Sequence, residues 1–380
     1  MKGYGKAVRR GVALGLALVA LWGVSLTADP AALRAGLARP EAAVALLAAQ
    51  LRIPAAEESR ALTGWGRLIL SQSALLAAGE EGVARLRAER GKADPDPLHG
   101  DTDDQEEPDL SHQSEEDGVV EMTAQGKEEG KYLYGQGVYL YNRTDLELDV
   151  SVLEAGEVSL TTGEGPQILI LHTHGSEAYS QSDGNAYEES DPYRTTDCTR
   201  NVVRVGEVMA TVFRAHGFRV VHDTTLYDYP AYNGAYDRSG AAVEQWLAQY
   251  PSIQVVLDVH RDALVGSDGQ VYKLVSREAG EKVAQVMLVV GTSGSGAEHP
   301  RWQDNLALGV ALQQELTRGY ASLARPIVLR NSRYNQQLLP GSLLVEVGGH
   351  GNTLTEAIAG ARLWTDNVAR TLRQLGLGEG

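Results

Sequence analysis

Residues 168–177 read Ile-Leu-Ile-Leu-His-Thr-His-Gly-Ser-Glu. Four consecutive apolar residues after Gly165-Pro166 predict a short strand buried on both faces. Such a strand belongs in the middle of a parallel or mixed sheet covered by helices on either side. It runs directly into His172, Thr173, His174, Gly175, Ser176 and Glu177. In open α/β sheets, the loops that leave the carboxyl ends of strands are where sites are built. His174 and Glu177 form an H-x-x-E pair, two metal donors brought together by one turn. A distant histidine would complete a three-ligand zinc site with one position open to water.

Two further stretches repeat the design. Val255-Val256-Leu257-Asp258-Val259-His260 is a hydrophobic strand ending in a histidine, followed by Arg261 and Asp262. Leu343-Leu344-Val345-Glu346-Val347-Gly348-Gly349-His350 delivers a carboxylate in the same way. Three buried strands thus hand one functional group each to a common sheet edge. The metal expected from His174, Glu177 and His260 is Zn²⁺, which brings the pKa of its water to about 7. Glu346 is then the expected base, taking a proton from water and returning it to a leaving amine. Arg261 is a candidate to stabilise an oxyanion, with an ion pair to Asp258 or Asp262 as the ordinary alternative. His172 is a second candidate ligand, or a residue that orients one. His350 reads equally as a substrate contact or a turn residue, and Asn335, Gln336 and Gln337 as a polar substrate loop. No G-x-S-x-G is present, and Gly291–Gly296 lacks the G-K-[ST] ending of a phosphate cradle.

The net charge of −16 argues against a nucleic-acid partner, which would need a basic face. Much of that charge is local: residues 94–117 hold eleven carboxylates and no Lys or Arg. Residues 94–130 are accordingly expected to be a disordered acidic linker, too poor in apolar groups to offset their ordering entropy. Residues 1–10 form a basic tail, and 11–28 are eighteen residues without a charge. That length suits a single transmembrane anchor with the N-terminus in the cytoplasm; a cleaved signal peptide is the alternative, and both export the rest of the chain. Residues 29–93 read as a helical stalk interrupted by Pro40 and Pro54. The lone Cys198 reads as a packing residue. From 131 onward, the alternation of Tyr132, Tyr134, Val138 and Leu140 and then of Leu146, Leu148, Val150 and Val152 predicts strands, and further strands alternate with helices expected over 199–216, 236–249, 303–319 and 355–375. The fold class expected for 131–380 is α/β, a three-layer sandwich around a mixed, largely parallel sheet.

The runs HTHGSEAY, RTTD with NVVRVG, DYPAYNGAYDRSG, DVHRDA and RYNQQLLPGSLLVEVGGHGNT with EA resemble the stage II sporulation protein P family. The resemblance covers residues 134 to the C-terminus. It implies a zinc-dependent N-acetylmuramoyl-L-alanine amidase, with some endopeptidase activity, acting on peptidoglycan during engulfment of the forespore. It also implies partners, stage II sporulation proteins D and M, and a site between the mother-cell and forespore membranes. On that pattern His174 matches the first zinc histidine, His260 the last, and Glu346 the catalytic glutamate. The middle ligand differs between related patterns: the amidase pattern points to Asp197 and the carboxypeptidase pattern to Glu177, the nearer of the two to His174. A metallocarboxypeptidase or endopeptidase, or a wall-binding scaffold with a degenerate site, are the rival readings.

Overall fold

The run Ile168–Leu171 is a strand buried along its whole length. The computed structural model describes 118–378, except 128, 129, 155, 157, 183, 267, 268 and 279, together with 109–110 and 114–116. All of these lie in the compact unit Asp101–Gly380. The expected basic tail, anchor and stalk (1–93) lie outside the described residues. Among the described residues, no helix is long and apolar enough to cross a membrane.

In chain order the strands begin with β1 (Asp109–Leu110), β2 (Ser114–Glu116), β3 (Val119–Met122), β4 (Ala124–Gln125), β5 (Tyr132–Gly135), β6 (Val138–Asn142) and β7 (Ile168–Leu171). Helix α1 (Val202–Ala215), strand β8 (Val220–His222) and helix α2 (Ala235–Gln249) follow. Then come β9 (Val255–Asp262), β10 (Val271–Glu278), β11 (Glu281–Ala284), β12 (Val286–Gly291) and helix α3 (Trp302–Gly319). Strands β13 (Ile327–Arg330) and β14 (Ser342–Gly349) and helix α4 (Leu354–Gln374) close the unit. The main sheet has the order β5-β6-β13-β12-β14-β9-β7-β8. Its pairings are parallel except β5 with β6 and β12 with β14, so the sheet is mixed.

Alternation along the central strands assigns the two faces. Ile168, Ile170, Val255 and Leu257 pack with Val205, Met209 and Phe213 of α1, Leu306 and Val310 of α3, and Trp364 and Val368 of α4. Leu169, Leu171 and Val256 point the other way and meet Val243, Trp246 and Leu247 of α2. Helices therefore cover both faces, as a doubly buried strand requires. The helix starts are chemically marked: Asn201 accepts from Val203 N–H, and Thr353 forms a capping box with Glu356.

Register does the positioning. Because β14 runs parallel to β9, Glu346 pairs with His260; because β7 runs parallel to β9, Leu171 pairs with Asp258. The three strands deliver their ends to the same sheet edge.

Two expectations fail. The linker expected to be disordered to residue 130 is folded in its later part, where β3 pairs with β10 in a second sheet, β11-β10-β3-β2. The carboxylate run ends at Asp117, and Met122 and Ala124 are buried. Glu121 is also buried, with Lys273 Nζ 3.1 Å away and Lys282 beside it. Secondly, the alternation of Leu146, Leu148, Val150 and Val152 does not form a strand. Asp149 accepts from Ser151 N–H and starts a 3-10 turn, Val150–Leu153, that buries Leu153.

Helix α4 comes close to the sheet edge at Gly360, where a Cβ would run into the Ala284 carbonyl oxygen. Alanine ordinarily gains about 1 kcal/mol over glycine within a helix. Here overpacking should win, so Gly360→Ala is expected to lower unfolding stability by about 1–3 kcal/mol in urea titrations.

Candidate active site

The turn after β7 is closed by a hydrogen bond from Glu177 N–H to the His174 carbonyl, 3.0 Å. Its side chains are stitched from outside. Asp258 on β9 accepts from Thr173 N–H at 2.8 Å and from Thr173 Oγ1 at 2.6 Å. Asp228, on the loop between β8 and α2, accepts from Ser176 N–H at 3.1 Å and from Ser176 Oγ.

His174, Glu177 and His260 are all fully buried. The two imidazoles meet edge to face with ring centres 5.4 Å apart. His260 lies between two carboxylates: Nε2 is 3.0 Å from Asp258 Oδ1, and Nδ1 is 3.5 Å from Glu177 Oε2. Burial opposes a charge on this ring, but Asp258 and Glu177 outweigh it and hold the imidazole well above its usual range. Burial likewise opposes the charge on Glu177, yet Arg261, His260 and Arg194 keep that carboxyl well below the usual carboxylate range. His174 stacks on Tyr232, ring centres 4.5 Å apart and 14° from parallel, and meets the edge of Tyr236. Glu346 is buried beside this group, and burial followed by the nearby Asp262 pushes its carboxyl up to about 8.

The structure brings His174, Glu177, His260, Arg261 and Glu346 into one buried cluster. Asp197 is outside it, exposed, with its carboxylate accepting from Thr199 N–H and Oγ1. Arg261 makes neither of the ion pairs considered for it. Its Nε donates to the Ala178 carbonyl at 2.9 Å and Nη2 to the Tyr193 carbonyl at 3.1 Å, while its backbone N–H reaches Glu177 Oε2 at 3.2 Å. Asp262 pairs instead with Arg325, 2.7 Å. His172 points away from the cluster, its Nδ1 on the Val259 carbonyl and its Nε2 on His222 at 3.0 Å. Burial and then His222 push it down to about 3. His350 packs against the Tyr193 ring, 4.6 Å between centres. Gln336 is structural, accepting from Gly291 N–H and donating to the Val289 carbonyl, and Asn335 is fastened to the Tyr236 carbonyl of α2.

Asp228, Arg194, Tyr232 and Tyr236 complete the surroundings, and sequence reasoning gave none of them a role. They lie in polar loops or at a helix start, away from any strand end, and their only signal was membership of the runs RTTD and DYPAYNGAY.

A family model described as "Stage II sporulation protein P (SpoIIP)" matches residues 75–369. The chain belongs to this family. The stage II sporulation protein P of Bacillus subtilis (strain 168) is 27% identical over 207 residues, 52% of this chain and 48% of the relative. The chain thus spans about half the length of the curated family member it matches. Among solved structures, the CwlD amidase of Clostridioides difficile in complex with the GerS lipoprotein is similar at 14% identity and a TM-score of 0.35, covering 55% of this chain and 98% of that one. The N-acetylmuramyl-L-alanine amidase Ami1 of Mycobacterium smegmatis gives 13% and 0.33, with 57% and 98% covered.

For this family member the raised Glu346 carboxyl fixes a sign. Between about 4.5, the ordinary value, and about 8, the folded state holds a proton that the unfolded state has lost. Stability of the chelator-treated chain should therefore fall as pH rises through that window, by at most about 1.4 kcal/mol per pH unit from this group. Glu346→Gln should flatten that limb in denaturation midpoints taken at pH 5, 6, 7 and 8. An unchanged slope would place the carboxyl in a solvated setting.

Proposed function

We propose that this chain is a zinc-dependent N-acetylmuramoyl-L-alanine amidase of the cell wall, removing stem peptides from the glycan. The observation that carries the reading is the contiguity of buried His174, Glu177 and His260 beside Glu346, at the ends of strands running in one direction. Two imidazoles and a carboxylate are a donor set zinc accepts, and the chemistry of the site fits the ion in that respect. Among the described residues no group of three or more His, Cys, Asp or Glu side chains is already set as a metal cage. Glu177 Oε2 faces His260 Nδ1, and this is the contact that ligation would replace. Asp258, on Nε2, leaves Nδ1 as the nitrogen turned toward Glu177 and fixes the ring, as partners of ligating histidines commonly do.

When bound, zinc supplies a Lewis acid that polarises the amide carbonyl and acidifies water. The protein's own part is proton handling and orientation. Glu346 takes a proton from the water whose oxygen bonds to the lactyl carbonyl carbon. It returns that proton to the alanine nitrogen as the C–N bond breaks. Burial raises the proton affinity of Glu346, which suits a group that must accept and then release a proton near neutral pH. Asp258 and Asp228 hold the turn that carries His174 and Glu177.

The setting we propose is extracytoplasmic, with residues 11–28 as a single-pass membrane anchor, acting between the mother-cell and forespore membranes during engulfment. Stage II sporulation proteins D and M are the proposed partners, on the strength of the family resemblance.

Metal analysis of the purified chain and product analysis on isolated sacculi test this reading. The expected result is one zinc per chain and free stem peptides with lactyl-ended glycan. Cleavage only between amino acids would make it an endopeptidase, and sacculus binding without products a scaffold. Glu346→Gln should keep its zinc and lose activity by about 10²-fold or more. His260→Ala should bind zinc more weakly and lose activity, and a His260→Ala chain that cleaves at the wild-type rate would remove that residue from the site.

A further inference from the structure

Arg194 lies on the excursion between the β7 turn and α1, and one guanidinium there touches most of what surrounds the site. Its Nη1 is 2.7 Å from Asp228 Oδ2 and 3.1 Å from Ser176 Oγ, and its Nη2 is 3.2 Å from Glu177 Oε1. Its Cζ lies 4.9 Å from the centre of the Tyr232 ring, the same ring that stacks on His174. The side chain is 16% exposed and both carboxylates are almost fully buried.

We infer that Arg194 is a positioning residue for the metal donors, a two-pronged clamp that engages Glu177 Oε1 and thereby leaves Oε2 turned to His260. The inference rests on the reading of His174, Glu177 and His260 as zinc donors, and it adds a residue to which that reading gave no part. Three physical points carry it. Arg194 donates to both buried carboxylates at once, to Asp228 through Nη1 and to Glu177 through Nη2. Arginine spans two acceptors with separate nitrogens in a fixed plane, which a lysine ammonium does not. The third point is Tyr232, whose ring meets both the guanidinium and the His174 imidazole, so that the clamp limits how that imidazole can turn.

The backbone makes the idea testable, because the loop does not depend on the side chain. Arg194 and Glu177 form a β-bridge, Ala178 N–H donates to the Tyr193 carbonyl at 2.9 Å and Thr195 N–H to the Ser176 carbonyl at 2.8 Å. Arg261 holds the Tyr193 carbonyl from the other side. Truncating Arg194 should leave this ladder in place.

The experiment is zinc affinity of the full chain, measured by competition with a chromophoric chelator, with circular dichroism confirming the fold of each variant. Arg194→Ala should bind zinc about 10- to 100-fold more weakly, the range expected when a partner of a ligand is removed. Arg194→Lys should recover only part of the loss, and added guanidinium ion at millimolar concentration should restore affinity to Arg194→Ala. In a Glu177→Gln background, Arg194→Ala should change affinity by no more than about two-fold, since independent sites add within that margin and coupled ones do not. Equal zinc affinity in wild type and Arg194→Ala overturns the clamp, as does a full additional loss in the Glu177→Gln background. A wild-type chain that binds no zinc overturns the zinc reading itself, a different result read from a different sample.

Discussion

Asp258 is the group on which the arrangement of the site depends. It stands on β9, opposite the last residue of β7, and takes the Thr173 N–H, the Thr173 hydroxyl and one nitrogen of His260. A buried carboxylate with fewer partners would be costly, by several kcal/mol for an unpaired ion. With these three it is satisfied, and the two strands are locked at the depth where their ends meet. The neighbouring strand β14 is then fixed by ladder register, and Glu346 arrives beside His260 with no separate device to steer it. The site is thus a consequence of sheet register and one hydrogen-bonded carboxylate.

The same economy explains why the cluster is buried. Helices on both faces of the main sheet leave its strand ends as a place where polar side chains can gather. Burial then sets opposing tendencies in neighbouring groups. Glu177 has cationic partners and stays ionised, whereas Glu346 has Asp262 nearby and is held toward its neutral form. Two carboxylates in one pocket with divergent proton affinities can take different roles, one as a fixed anionic donor and the other as a proton carrier.

The central strands, the four helices and the strand-end groups were legible in the sequence because each rests on a local signal. Continuous apolar runs mark β7, β9 and β14, and helical spacing ended by Gly217 marks α1. What escaped was non-local. Strand β13 is a four-residue run between Pro326 and a polar loop, too short to stand out, and it is a strand because β12 and β6 flank it. Strands β3 and β10 pair across a long stretch of chain, and a carboxylate-rich approach hid the start of β3. Arg194 and Asp228 are invisible for a related reason. Their importance lies in each other and in Ser176 and Glu177, and no spacing in the sequence records that meeting.

The central claim is that His174 and His260 converge on one divalent ion. X-ray absorption at the zinc edge of the loaded chain tests this most directly. The account predicts a first shell of nitrogen and oxygen with the outer-shell scattering of two imidazoles, one of which disappears in either His174→Ala or His260→Ala. A first shell that stays unchanged in both variants would contradict it.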